Sequence, residues 1–130
     1  MPHLVLEYSA NVPDEPDFDL VLRRLHEAMT RVGPFDLSNV KSRAVRRERF
    51  RVADGSTDRA FVHLTASVLS GREALVLRET GLALLAVLRE SFPRARAERA
   101  CDLTVELREM PSGLYFKLAG GSHPPGSSVP

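Results

Sequence analysis

The chain runs through the order strand, helix, strand twice, with a turn between the two passes, and this order most restricts the folds open to it. Leu4-Val5-Leu6-Glu7-Tyr8 is a short apolar run that reads as a strand. It begins almost at the first residue, where a chain end frays unless something ties it down. Asp14-Glu15-Pro16-Asp17 supplies a helix start, with acidic groups where the helix dipole favours them and proline suited to the first turn. Phe18, Leu22, Leu25, Met29 and Val32 then recur at helical spacing until Gly33-Pro34 stops the helix. Val40 to Val52 reads as extended and strongly basic, and Asp54-Gly55 as a turn between two extended runs. Ala60 to Leu69 is the candidate central strand. Ser70-Gly71-Arg72-Glu73 has the S-x-x-E form of a capping box. The helix after it places Leu77, Leu84, Leu85, Leu88 and Phe92 on its buried side and ends near Pro93. Leu103, Val105 and Leu107 alternate with Thr104, Glu106 and Arg108 in a fourth strand, and Leu114-Tyr115-Phe116 reads as a short edge piece.

Two β-α-β units predict an α+β fold of the form β-α-β-β-α-β, one mixed sheet with both helices on one face. Right-handed crossovers make the strands within each unit parallel. At 130 residues the chain supports one modest core. That core is expected within a single domain over residues 1–118, followed by a mobile Gly/Ser/Pro-rich tail over 119–130. Several strands and much of the second helix are apolar on more than one side. The uncovered sheet face is therefore expected to need the cover of a homo-oligomer.

Composition removes several classes of function. Eighteen basic against seventeen acidic side chains leave a net charge of +1, with two tyrosines and no tryptophan, which argues against nucleic-acid binding. Cys101 is the only cysteine, so there is no internal disulfide, and it reads as a half-buried residue near a strand start. His3, His26, His63 and His123 are not spaced as metal ligands. His26 is expected to be exposed, and His3 and His63 to lie on adjacent strands within reach of one another. The most apolar stretch, Leu82 to Leu88, is short and flanked by charges, so no membrane span is expected. The first residues do not read as an export signal, and a cytoplasmic location follows as the expectation.

The residues themselves offer three sites with two readings each. Pro2 either merely begins its strand or, once Met1 is removed, carries a secondary amine. Lys41, Arg43, Arg47, Arg49 and Arg51 alternate, so an extended chain puts them on one side. They form either a solvated, charge-protected strand or a grip on carboxylates, which guanidinium groups bind through two parallel hydrogen bonds. Arg72 is either an ordinary exposed arginine or an anion ligand at a helix start, where free N–H groups also favour anions.

Met1-Pro2-His3 with Glu7, Ser9 and Asn11 is followed at matching spacing by Lys41-Ser42-Arg43, Ala53-Asp54-Gly55 with Asp58, Ala60-Phe61-Val62-His63 and Gly71-Arg72. From Met1 to about Leu118 this pattern resembles the 5-carboxymethyl-2-hydroxymuconate Δ-isomerase family of the tautomerase superfamily. The resemblance implies a homotrimer, catalysis by the amino-terminal proline, and neither metal nor organic cofactor. It further implies conversion of a muconate-type dienol to its conjugated keto form, in the bacterial breakdown of homoprotocatechuate. In that light Pro2 becomes the catalytic base, and Lys41 and Arg43 become substrate-binding residues. Arg72 becomes a further candidate, while Arg46, Arg47, Arg49 and Arg51 stay on the surface. A free α-amine has a pKa of about 8. Burial and nearby cations would lower it toward working pH, where a general acid–base group serves best. Two positions depart from the family pattern: Lys41 stands where arginine is expected, and Tyr8 where a small residue or cysteine is expected. A Tyr8 side chain facing the pocket would narrow it. Two alternatives therefore remain. One is another tautomerase-type enzyme, a promiscuous keto-enol tautomerase or a hydratase-like dehalogenase of haloacrylates. The other is a non-catalytic trimeric protein that holds a small carboxylate.

Overall fold

The computed structural model describes residues 1–121. Residues 122–130, with His123 and most of the tail, lie outside the described residues. The elements follow in the order β1 (His3–Ser9), α1 (Phe18–Arg31), β2 (Lys41–Arg47), β3 (Arg59–Leu69), α2 (Ala74–Ser91), α3 (Pro93–Glu98) and β4 (Ala100–Met110), with 3-10 turns at Leu37–Asn39 and Ser112–Leu114. The strands form one sheet in the order β2-β1-β3-β4. Each crossover joins a parallel pair, β1 with β2 and β3 with β4, and the two units meet through the antiparallel β1–β3 pair. The mixed α+β sheet expected from the sequence is therefore the observed one, with α1 and α2 packed on the same face.

That face is built by alternation. Along β3 every second side chain, from Ala60 through Val62, Leu64 and Ala66 to Val68, is buried. Leu4 and Leu6 of β1, Val21, Leu25 and Met29 of α1, and Leu84 and Leu88 of α2 close over them. Each such aliphatic side chain contributes about 1.5–3 kcal/mol by leaving water. Asp17 caps α1 by accepting the Leu20 N–H at 3.3 Å.

Several details differ from the sequence reading. The expected capping box does not form: Glu73 is the N-cap of α2 and makes no side-chain capping bond. The Ser70 N–H instead donates to the Met110 carbonyl at 2.8 Å. Gly71, at φ +116°, turns the chain between that ladder bond and the helix, a conformation suited to glycine. The helix ending near Pro93 is followed at once by α3, with Pro93 in its first turn. Asp14 does not serve α1 but caps α3, accepting the N–H groups of Arg94 and Ala95 at 2.8 and 2.7 Å. β2 ends at Arg47, so Arg49 and Arg51 leave the basic strand, and Arg51 donates instead to the Asp54 carbonyl at 3.0 Å. Leu114-Tyr115-Phe116 adds no strand: a 3-10 turn leads into it.

The second face of the sheet is not the apolar surface expected. It carries Glu7 and Arg47, paired at 2.7 Å, and a network in which His63 bonds Thr104 and Glu106 while Arg108 also reaches Glu106. Exposed apolar side chains lie elsewhere, at Leu75 and Leu82 of α2 and at Leu114, Phe116 and Leu118 after β4.

Candidate active site

Register brings distant segments to one end of the sheet. His3 lies opposite Lys41 on β2 and Ser67 on β3, and Leu69 lies opposite Met110 on β4. The start of β1 and β2, the β3–α2 turn with Arg72, and the segment after β4 therefore share that end. Pro2 is fully buried there. Its carbonyl accepts the Lys41 N–H at 3.1 Å, which extends the β1–β2 ladder to the chain terminus and fixes it.

The Met1 amine donates to the Tyr115 hydroxyl at 3.1 Å. Its pKa is pushed below the ordinary value of 8.0, first by burial and then by the charges of Lys41 and Lys117. Tyr115 is also 3.4 Å from Nε2 of His3, with the two rings edge to face. Nδ1 of His3 lies 3.3 Å from a guanidinium nitrogen of Arg43. Burial first, then Arg43, the terminal amine and Lys41, pull the His3 pKa below its usual 6.5, so the ring is held neutral at pH 7. Lys41 donates to the Asn39 carbonyl at 2.9 Å. Among the described residues no carboxylate lies within 4.0 Å of the charged groups of Lys41, Arg43 or Arg72.

The sequence candidates thus separate. Lys41 and Arg43 stand beside the terminus that bears Pro2. Arg72 is at the same end of the sheet, but its guanidinium lies over the Phe35 ring, 4.2 Å from the centroid, and its Nε is buried without a hydrogen-bond partner. Arg47 is at the opposite end of β2, paired with Glu7. Tyr8 does not narrow the site: it points into the core about 20 Å away along β1 and stacks on Phe18 at 4.9 Å. His63 pairs with Glu7 across the strands, not with His3, so the two histidines do not meet. His26 is half-buried rather than exposed and bonds the Ser42 hydroxyl at 2.6 Å. Cys101 is half-buried as expected, and burial pushes its thiol up to about 11. Sequence reasoning did not place Tyr115 or Lys117 near the terminus, and expected His3 to meet His63 rather than Arg43 and Tyr115. The turn at Ser112–Leu114 brings Tyr115 back over the terminus, and no local pattern announces that return.

Among the described residues no helix is long and apolar enough to cross a membrane, and no group of three or more His, Cys, Asp or Glu is placed to hold a metal ion. The structure resembles a fused 4-OT symmetric trimer at 17% identity and TM-score 0.72, covering 92% of this chain and 94% of that one, which shows the shared fold. It superposes on a 5-carboxymethyl-2-hydroxymuconate isomerase from Deinococcus radiodurans R1 with TM-score 0.82 and 36% identity, covering 92% of this chain and 90% of that one. The 5-carboxymethyl-2-hydroxymuconate Delta-isomerase of Escherichia coli is 28% identical over 117 residues, 90% of this chain and 93% of that protein. The family model for 5-carboxymethyl-2-hydroxymuconate isomerase matches residues 2–120. A buried Pro2 beside the terminus, a Met1 amine of lowered basicity and cations that no carboxylate of the described residues pairs thus occur in a chain that belongs to the 5-carboxymethyl-2-hydroxymuconate isomerase family and is, like its relatives, an isomerase of the tautomerase fold.

Proposed function

We propose that the chain converts a muconate-type dienol, 5-carboxymethyl-2-hydroxymuconate or a close analogue, to its conjugated keto isomer, with the amine of Pro2 as acid–base catalyst after Met1 is removed. The observation that carries this reading is the setting of the terminus. Pro2 is buried and tied into the sheet, and the amine one residue outside it already has its basicity lowered by burial, Lys41 and Lys117. An amine at Pro2 meets the same influences. Neutral Pro2 takes the proton of the 2-hydroxyl group. The positive charges of Lys41, Arg43 or Arg72 oppose the dienolate charge that develops. Protonated Pro2 returns the proton to the distant carbon, which leaves a conjugated ketone and regenerates the base. A polycarboxylate substrate suits cations that no protein carboxylate neutralises. Lys41 holds an anion as a point charge, without the planar fork of the arginine found in the family pattern, so its contribution lies in charge more than in orientation.

The working unit in this reading is a homotrimer. The exposed Leu75, Leu82, Leu114, Phe116 and Leu118 supply apolar surface for subunit contacts, and light scattering measures the assembly directly.

The test is ultraviolet loss of 2-hydroxymuconate, run on mass-verified protein lacking Met1 beside Pro2→Ala. Rapid ketonisation by the parent and a loss of roughly a hundredfold in the variant are expected for removal of the positioned base. Equal rates in both would remove Pro2 from the reaction, and no rate above buffer in either would remove 2-hydroxymuconate from the substrates of this isomerase.

A further inference from the structure

We propose that Tyr115 is a catalytic residue of this site, its hydroxyl donating a hydrogen bond to the substrate oxygen that loses its proton to Pro2. The inference rests on the proposed Pro2 reaction and adds a group to it. It starts from what Met1 occupies. The Met1 nitrogen is three bonds from the Pro2 nitrogen, which places it about 3 Å away. A substrate atom giving its proton to Pro2 must take up a position at similar range once Met1 has gone. The side chain that meets the Met1 nitrogen is Tyr115, with its oxygen at 3.1 Å. Met1 therefore marks the place of a substrate oxygen, and Tyr115 is the hydroxyl that faces it.

The direction of the hydroxyl proton follows from the groups behind it. Arg43 is a donor only, so at the 3.3 Å contact it donates to Nδ1 of His3. A neutral imidazole that accepts at Nδ1 carries its proton on Nε2. That Nε2–H faces the Tyr115 oxygen at 3.4 Å and donates to it. His3 is kept neutral by burial, Arg43, the terminal amine and Lys41. With its oxygen already accepting from His3, Tyr115 turns its own O–H outward to the substrate. The chain Arg43 to His3 to Tyr115 is polarised in one direction throughout, and each link strengthens the next. Tyr115 transfers no proton in this scheme: Pro2 carries it, and the hydroxyl stabilises the oxyanion left behind. The ring is held by its edge-to-face contact with His3, 6.4 Å between centroids, so Tyr115→Phe removes the hydroxyl and keeps the packing.

Three readouts on Met1-free protein decide the matter. In ketonisation of 2-hydroxymuconate, Tyr115→Phe is expected to lower kcat roughly tenfold to a hundredfold with KM within about threefold, because the bond forms to charge present only after proton transfer. An unchanged kcat overturns the proposal. Nitrogen NMR of His3 is expected to show the Nε2–H tautomer in both proteins, and the Nδ1–H tautomer in the parent likewise overturns it. The third readout does not require turnover. Binding of 3-hydroxy-4-nitrobenzoate, an ionisable phenol carrying a carboxylate, is expected to weaken about fivefold or more in Tyr115→Phe, most strongly where the phenol is ionised. That result supports the hydroxyl as an oxyanion ligand even if the parent fails to turn over the dienol, in which case the Pro2 reaction alone falls. Equal affinity at all pH values overturns the role of Tyr115 while leaving the Pro2 reaction to its own test.

Discussion

The two ends of the sheet are both rich in cations and treat them in opposite ways. At the end where β1 finishes, Arg47 lies on Glu7 at 2.7 Å, Arg59 on Asp54 at 2.7 Å and Arg94 on Glu98 at 2.6 Å, and Tyr8, Phe18 and Phe92 form an aromatic cluster inside. At the end where β1 begins, Arg43 faces a neutral imidazole, Lys41 a carbonyl and Arg72 a phenyl ring. Paired charges at an exposed surface contribute little to stability and leave little field. Cations that no carboxylate neutralises lower the basicity of a neighbouring amine and attract an anion from solution. One end of the same sheet thus serves mainly structure, and the other holds positive potential around the chain terminus.

Substitutions at the two ends should separate stability from turnover. The largest stability effect is expected from Phe92→Ala, which empties a fully buried site at the aromatic end. It should cost about 3–5 kcal/mol in urea unfolding, with kcat per folded molecule within about twofold of the parent. Blocking removal of Met1 with a short N-terminal extension leaves Pro2 nitrogen an amide. Turnover should then fall about a hundredfold or more while the melting temperature stays close to that of the parent. Arg43→Gln should lower kcat/KM for a dicarboxylate dienol about tenfold to a hundredfold, through loss of charge and of the His3 contact. Arg47→Gln, two positions past Val45 on the same strand face, should change kcat/KM by less than about twofold and stability by less than about 1 kcal/mol. An equal loss from the two arginine substitutions would erase the distinction between the ends.

Acid should reveal the paired end in stability. Arg59 and Ser56 hold the Asp54 carboxyl below its ordinary range, and Arg94 does the same for Glu98. A carboxylate with a lowered folded pKa contributes stability that is present above the unfolded value near 4 and is lost as pH falls through the folded one. Melting temperature should decline between pH 5 and about 2. Charge-neutral variants Asp54→Asn and Glu98→Gln should flatten that decline slightly, because both groups are exposed.

Much of the fold was legible because its signals are local. β3 alternates over its whole length, α1 carries an apolar stripe, and Gly33-Pro34 ends it, so element types and order follow from neighbours in the chain. The capping reading failed at Ser70, since the S-x-x-E pattern also fits a chain whose Ser70 N–H completes a strand ladder. At the candidate site, the terminus, the basic alternation and the family spacing nominated Pro2, Lys41 and Arg43, which the fold sets at one end of the sheet. The proximity of Tyr115 to them was not legible, because it lies 112 residues from the His3 it contacts.

The sequence by itself determined two β-α-β units, their buried stripes and a proline beside the amino terminus, since side-chain periodicity records which face of an element leaves water. Only the tertiary structure decided that the β2 and β3 registers set Lys41 and Ser67 opposite His3, that Asp14 caps a helix 80 residues away, and that the return after β4 lays Tyr115 against the terminus. Periodicity carries no record of partners across a sheet. Those are chosen by strand register and by the crossovers, once the buried faces have closed on one another.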